Sequence, residues 1–227
     1  MTAVPVITID GPSGSGKGTL CQRLARHLGW HLLDSGAIYR IVGLAAHQRN
    51  VSFDREAALA KLAANLNVRF EPAASGEPAA VILDDDDISR EVRSEKSGEY
   101  ASRVAIYPSV RDALRELQRG FAKAPGLVAD GRDMGTVVFP DAPLKCYLTA
   151  SADVRAERRY KQLIAKGESV TLAALLEDIR ARDERDLNRP VAPLKPAGDA
   201  VLIDSTALTA EGVFTQVLQL AKNRLNV

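Results

Sequence analysis

The sequence lacks the features that would build a metal centre, a disulfide framework or a membrane anchor. Its 227 residues contain two cysteines, Cys21 and Cys146, too few for a cysteine cluster or a disulfide scaffold. They read as small buried apolar residues of a reducing compartment. Three histidines, His27, His31 and His47, fall in no motif. Charge of one sign is also missing: the formal net charge is +1, so no global positive field favours bulk nucleic acid or a membrane surface. No apolar run approaches the roughly 18 residues that span a bilayer. Asp10 and the glycines after it interrupt any secretory core at the start. These absences predict a soluble cytoplasmic protein with no nucleic-acid polymer and no membrane among its partners. No long exposed apolar stripe argues for an obligate dimer, so a monomer is expected.

What is present is an ordinary globular composition, 46% apolar and 26% charged. The length suits one α/β domain over 1–227 with a small insertion. Of the basic residues, 21 are Arg and nine are Lys. Arg offers a planar fork of donors that suits phosphate and carboxylate groups. Val4 to Ile9 reads as a buried strand, His31 to Asp34 as a second, and 127–130, 145–148 and 200–204 as later ones. Leu20, Leu24 and Leu28 mark the inward stripe of the first helix. Helical stretches around Ile38 to His47 and from about Thr209 fit the alternation. This pattern predicts a parallel sheet with helices on both faces. One region breaks it: NVRF and AAVIL flank the turn-rich EPAASGEP between about Asn67 and Leu83, which predicts an inserted antiparallel hairpin. Four aspartates at 84–87 read as a solvated turn rather than a metal site, since consecutive carboxylates cannot all converge on one ion.

The segment ITIDGPSGSGKGTL contains G-x-x-x-x-G-K as Gly11, Gly16 and Lys17, after a strand and at the start of a helix. Glycines let backbone N–H groups curl around an anion, the helix N-terminus adds partial positive charge, and Lys17 can reach the outer phosphates. Gly11, Pro12, Ser13, Gly14, Ser15, Gly16, Lys17, Gly18 and Thr19 are therefore expected to hold the phosphates of a donor nucleotide, which the resemblance given below makes the ATP site. The hydroxyl stands one place later than in most such loops, and the GKGT ending resembles nucleoside monophosphate kinases. Thr19, or Ser15 across the loop, would help hold Mg²⁺; the sequence leaves both open.

Further on, Leu172, Leu175 and Ile179 form the expected inward face of a helix, and the same face continues into Arg182, Asp186 and Arg189. A stripe that turns from apolar to charged runs from a core into a cleft, or ends in surface ion pairs. GRDMG (131–135) follows the strand LVAD, at the end of the strand where ligands of α/β sheets bind. There Asp130 could orient Mg²⁺ through water, with Arg132 and Asp133 in the same crevice; an ordinary charged turn is the alternative. DSGAIYR supplies Ser35, Tyr39 and Arg40. Arg155, Arg158 and Arg159 share one helix face, which requires an anion, an acidic partner or solvent to relieve the repulsion.

DGPSGSGKGTL, LLDSGAIYR, ADGRDMGTVVFPDA and RDERDLNRPVAPL together resemble the bacterial cytidylate kinases, across nearly the whole chain. The resemblance implies a P-loop kinase that phosphorylates CMP or dCMP with ATP and Mg²⁺, carrying a monophosphate-binding insertion at about 62–102 and a helical lid at about 153–170. By motif, Arg40, Arg132 and Arg189 would clamp the acceptor phosphate. Arg182, Asp186 and Ser35 would surround the sugar, near Tyr39. Ser102, Arg111 and Asp133 would read cytosine, and Arg155 and Arg159 resemble lid arginines that act with Lys17 in catalysis. A phosphate acceptor has a second pKa near 6 and is largely ionised at neutral pH, so no general base is needed.

Overall fold

Valine, isoleucine and threonine in succession favour an extended chain, and β1 (Val6–Asp10) is buried along its whole length. The structure, a computed structural model, describes residues 4–71, 80–165 and 167–225. The chain forms two compact units, Met1–Asp34 together with Arg119–Val227, and Ser35–Gln118. In the first unit β1 leads through the glycine loop into α1 (Lys17–Leu28) and then β2 (His31–Asp34). Gly29, with φ 66°, closes α1, and the Trp30 N–H reaches back to the Ala25 carbonyl at 2.9 Å.

The second unit opens with α2 (Ser35–Gln48) and α3 (Glu56–Ala64). The expected hairpin follows as β3 (Val68–Glu71) antiparallel to β4 (Ala80–Leu83); most of its turn, 72–79, lies outside the described residues. All four aspartates after it are exposed, but only two make the turn, with Asp84 and Asp85 at positive φ. Asp86 and Asp87 form a short β5 (Asp86–Asp87) on β4, so half of the predicted turn is strand. Next come α4 (Ser89–Val92), α5 (Glu95–Val104) and α6 (Pro108–Arg119). α2 buries Ile38, Ile41, Val42 and Leu44 through Ala46. A side chain at Gly43 would place its Cβ 2.5 Å from that of Tyr100, so a glycine there lets α2 and α5 approach closely.

The chain returns to the first unit with β6 (Leu127–Gly131), β7 (Leu144–Thr149), α7 (Ala152–Ala165), α8 (Leu172–Leu187), β8 (Val201–Asp204) and α9 (Ala210–Leu225). Five parallel strands stand in the order β2-β6-β1-β7-β8, flanked by helices. Leu20, Cys21 and Leu24 of α1 and Val213 and Val217 of α9 share the core with Ile7, Ile9, Cys146 and Ile203 of the sheet. Both cysteines thus act as buried apolar residues. No helix among the described residues is long and apolar enough to cross a membrane.

Candidate active site

The loop after β1 has its shape forced on it by close packing. Gly11 has φ 148°, and a Cβ there would sit 2.0 Å from the Leu148 carbonyl oxygen. Gly14 (φ 77°) and Gly16 (φ 96°) adopt conformations that side chains disfavour, and a Cβ at Gly14 would press on that of Arg155 at 3.2 Å. Gly16 caps α1 with no side-chain bond, and the first turn of α1 carries no acidic residue. Its opening N–H groups therefore present positive potential to an anion. Lys17 Nζ and Ser15 Oγ both donate to the Pro12 carbonyl, at 2.8 and 3.0 Å, drawing the loop around itself. Burial lowers the Lys17 pKa, and the like charge of Arg132 adds to that, so an anionic ligand would strengthen this ammonium. Thr19 is exposed on α1.

Arginines from α7 hold the outer side of the loop. Arg155 Nη1 donates to the Ser13 carbonyl at 3.0 Å and Nε to the Ala150 carbonyl at 2.9 Å, and the guanidinium forks onto Asp183 at 3.0 and 2.5 Å. Arg158 donates to the Ser15 carbonyl at 3.5 Å and to Ser205 at 2.6 and 3.1 Å. In a trans peptide the next residue's N–H points opposite to the carbonyl. Fixing the Ser13 and Ser15 carbonyls on these arginines thus turns the Gly14 and Gly16 N–H groups the other way. On the basic face of α7, Asp183 is the acidic partner of Arg155, while burial lowers the pKa of half-buried Arg159 and Glu168 opposes this.

Beside the loop, Asp130 is the next-to-last residue of β6 and stands in register with Ile9 on one side and Asp34 on the other. Burial raises the Asp130 pKa; Lys17 opposes this and the neighbouring Asp34 carboxylate adds to it. Two adjacent carboxylates at strand ends, one of them poorly solvated, suit a hard dication that prefers oxygen ligands. Among the described residues no group of three or more potential metal ligands occurs, so the remaining ligands would come from substrate and water.

On α8, Asp186 is 1% exposed and lies between two guanidiniums. Arg132 Nε donates to Oδ2 at 2.8 Å and Arg189 pairs with Oδ1. Burial acts to raise the Asp186 pKa, but Arg132, Arg189 and Arg182 outweigh it and hold the group below the ordinary carboxylate value. The predicted stripe is thus real from Leu175 through Ile179 to Asp186. Its first member is not: Leu172 is 42% exposed, because it opens the helix just after the Thr171 cap, beyond the core.

In the second unit, Ser35 donates to Gln118 Oε1 at 2.9 Å, both side chains being buried. Arg40 Nη1 donates to the Val92 and Ser94 carbonyls and to Ser97 Oγ, at 2.9, 3.2 and 3.2 Å. Arg111, 5% exposed, lies 5.5 Å from the centre of the Tyr39 ring and donates to the Ala105 carbonyl. Ser102 bonds to the Gly98 carbonyl of its own helix. Asp10, Asp34, Asp183, Ser97, Gln118 and Ser205 were not legible as site residues. Their partners lie far along the chain or are backbone atoms.

The family model for cytidylate kinase matches residues 7–223. A cytidylate kinase of Aeromonas hydrophila is 58% identical over 221 residues, 97% of this chain and 95% of that protein. Another, of Pseudomonas savastanoi pv. phaseolicola, is 59% identical over 214 residues, 94% of this chain and 93% of the relative. A solved gluconokinase of Sinorhizobium meliloti aligns with 100% of this chain and 97% of its own at 16% identity, with a TM-score of 0.48. The match to the family model over nearly the whole length, together with relatives of this identity, means that the chain belongs to the cytidylate kinase family.

Proposed function

We propose that this chain transfers the γ-phosphoryl group of ATP to CMP or dCMP, giving ADP and CDP or dCDP. The observation that carries the reading is the Arg132–Asp186–Arg189 group, which shares a compact unit with a complete phosphate loop in a chain of this family. A kinase for a hydroxyl acceptor would have less use for a cationic cluster that outnumbers its carboxylate.

Gly11 to Thr19 bind the donor. Backbone N–H groups take phosphate oxygens, and Lys17 exchanges the Pro12 carbonyl for one of them. Arg155 and Arg159 act from the lid at about 153–170. Arg155 exchanges Asp183 for phosphate oxygens, which offer the same bidentate geometry. Arg40, Arg132 and Arg189 take the acceptor phosphate. Arg182, Asp186 and Ser35 take the sugar, with Tyr39 near them. Ser102, Arg111 and Asp133 take the base, and the insertion at about 62–102 serves acceptor binding. A carboxylate only accepts, so Asp133 would favour the exocyclic amino group of cytosine over a uracil carbonyl. Asp130, with Asp34 in register beside it and Thr19 on α1, would hold Mg²⁺, directly or through water. When bound, that ion supplies charge neutralisation at the phosphates. Alignment and charge carry the transfer, with no general base. Two free, buried cysteines support a cytoplasmic setting, and the chain is proposed to act as a monomer.

The test is direct: ATP, Mg²⁺ and CMP are incubated with the protein and CDP is followed by chromatography. CDP should accumulate in step with ADP, and its absence would sink the proposal.

A further inference from the structure

Asp10 closes β1 and belongs to none of the roles assigned above. It is 4% exposed, and its two oxygens are divided between two amides. Oδ1 accepts from the Met134 N–H and Oδ2 from the Gly135 N–H, each at 2.8 Å. Those amides open a π-helical turn, Met134–Val138, whose first N–H groups need acceptors from outside the turn. Asp133, at the N-cap position, makes no side-chain capping bond. The cap comes instead from a neighbouring strand, since Asp10 pairs with Gly131 in the parallel sheet.

Gly131 is therefore fixed by strand pairing, and Met134 and Gly135 are fixed by the Asp10 carboxylate. Between these anchors lie Arg132 and Asp133. Gly135 also packs tightly, since a Cβ there would sit 2.9 Å from Thr8 Oγ1. At its other end Asp10 is bonded directly to Gly11, the first glycine of the phosphate loop. We propose that Asp10 is a positioning residue that locks the Arg132–Asp133 loop to the phosphate loop, so that acceptor ligands and donor ligands keep one register. The inference rests on reading Arg132 and Asp133 as acceptor ligands. Burial pushes the Asp10 pKa up to about 6 despite the two amide bonds.

Asp10→Asn is nearly isosteric, but it has one acceptor oxygen, and its NH₂ group would face a second backbone N–H. Calorimetric titration of the variant with CMP and, separately, with a non-hydrolysable ATP analogue tests the role. CMP affinity should fall about tenfold or more while affinity for the ATP analogue stays within about threefold, as expected if one charge-assisted bond to the acceptor loop is lost. A residue serving only the fold would weaken both ligands together. Equal weakening, or no change in either, overturns the proposal. If the variant does not fold, the unsubstituted protein still decides. A scalar coupling across the hydrogen bond, between the Met134 or Gly135 amide nitrogen and the Asp10 carboxyl carbon, is expected, and its absence overturns the clamp. Should the unsubstituted protein accept another nucleotide instead of CMP, the substrate reading falls, while the same selective loss with that acceptor supports the role of Asp10.

Discussion

Replacing Asp186 by Asn removes one negative charge from between two guanidiniums and leaves the shape nearly unchanged. The Asp186 side chain is 2% exposed, with Arg132 at 17% and Arg189 at 10%, so neither cation can turn fully to water. Removing one partner of a buried ion pair costs about 3–5 kcal/mol, and the residual exposure of the arginines places this case near the lower end, about 3 kcal/mol. For a chain of this size each kcal/mol shifts Tm by about 2–4 °C, which predicts a fall of about 6–12 °C. Thermal unfolding followed by circular dichroism at pH 7 and low salt measures it. Added sulfate should recover part of the loss by replacing the missing countercharge. The unsubstituted protein supplies a second reading through pH. The folded pKa of Asp186 lies below its unfolded value, so its stabilisation is complete above about pH 4 and is lost as pH falls through the lowered folded value. Asp186→Asn should lack that share of the acid dependence. A Tm within about 2 °C of the original, with unchanged acid dependence, would refute the view that this carboxylate holds the cluster together.

Gly11→Ala should destabilise the fold by more than about 2 kcal/mol in a denaturant titration, because its Cβ would strike the Leu148 carbonyl, a backbone atom that cannot swing aside. A variant as stable as the parent would contradict that packing. If Lys17 serves the donor, as proposed, Lys17→Ala should depress turnover about 100-fold or more with every acceptor tested. An effect confined to one acceptor would assign it elsewhere. Asp133→Ala should lower kcat/KM for CMP by about 10- to 100-fold while leaving the KM for ATP within about threefold. An unchanged preference for CMP over UMP would remove Asp133 from base recognition.

Local signals in the sequence were enough for the sheet and the phosphate loop. His31–Asp34 and 127–130 read as strands because apolar residues crowd between polar breaks, and the structure places them side by side in register. The glycine spacing before Lys17 fixed the loop, because few other backbones fit it. The exposed Leu172 misled because helical periodicity locates a face but not where the core beneath it ends. Asp87 in β5 was equally hidden, since its pairing depends on β4 rather than on its own propensity. The clearest gap is Asp10. Next to a glycine loop it reads as motif text, whereas its partners are backbone amides 124 and 125 residues away that carry no side-chain signature. Asp183 is similar: one acidic residue among several on α8, singled out only when α7 brings Arg155 to it.

The proposed reaction passes phosphate from ATP to a cytidine monophosphate. Side-by-side steady-state rates of ADP formation with CMP, dCMP, UMP, AMP and shikimate, at fixed ATP and Mg²⁺, test it most directly. The highest kcat/KM is expected with CMP or dCMP and little turnover with shikimate; ADP formation that does not depend on CMP would rule the reaction out.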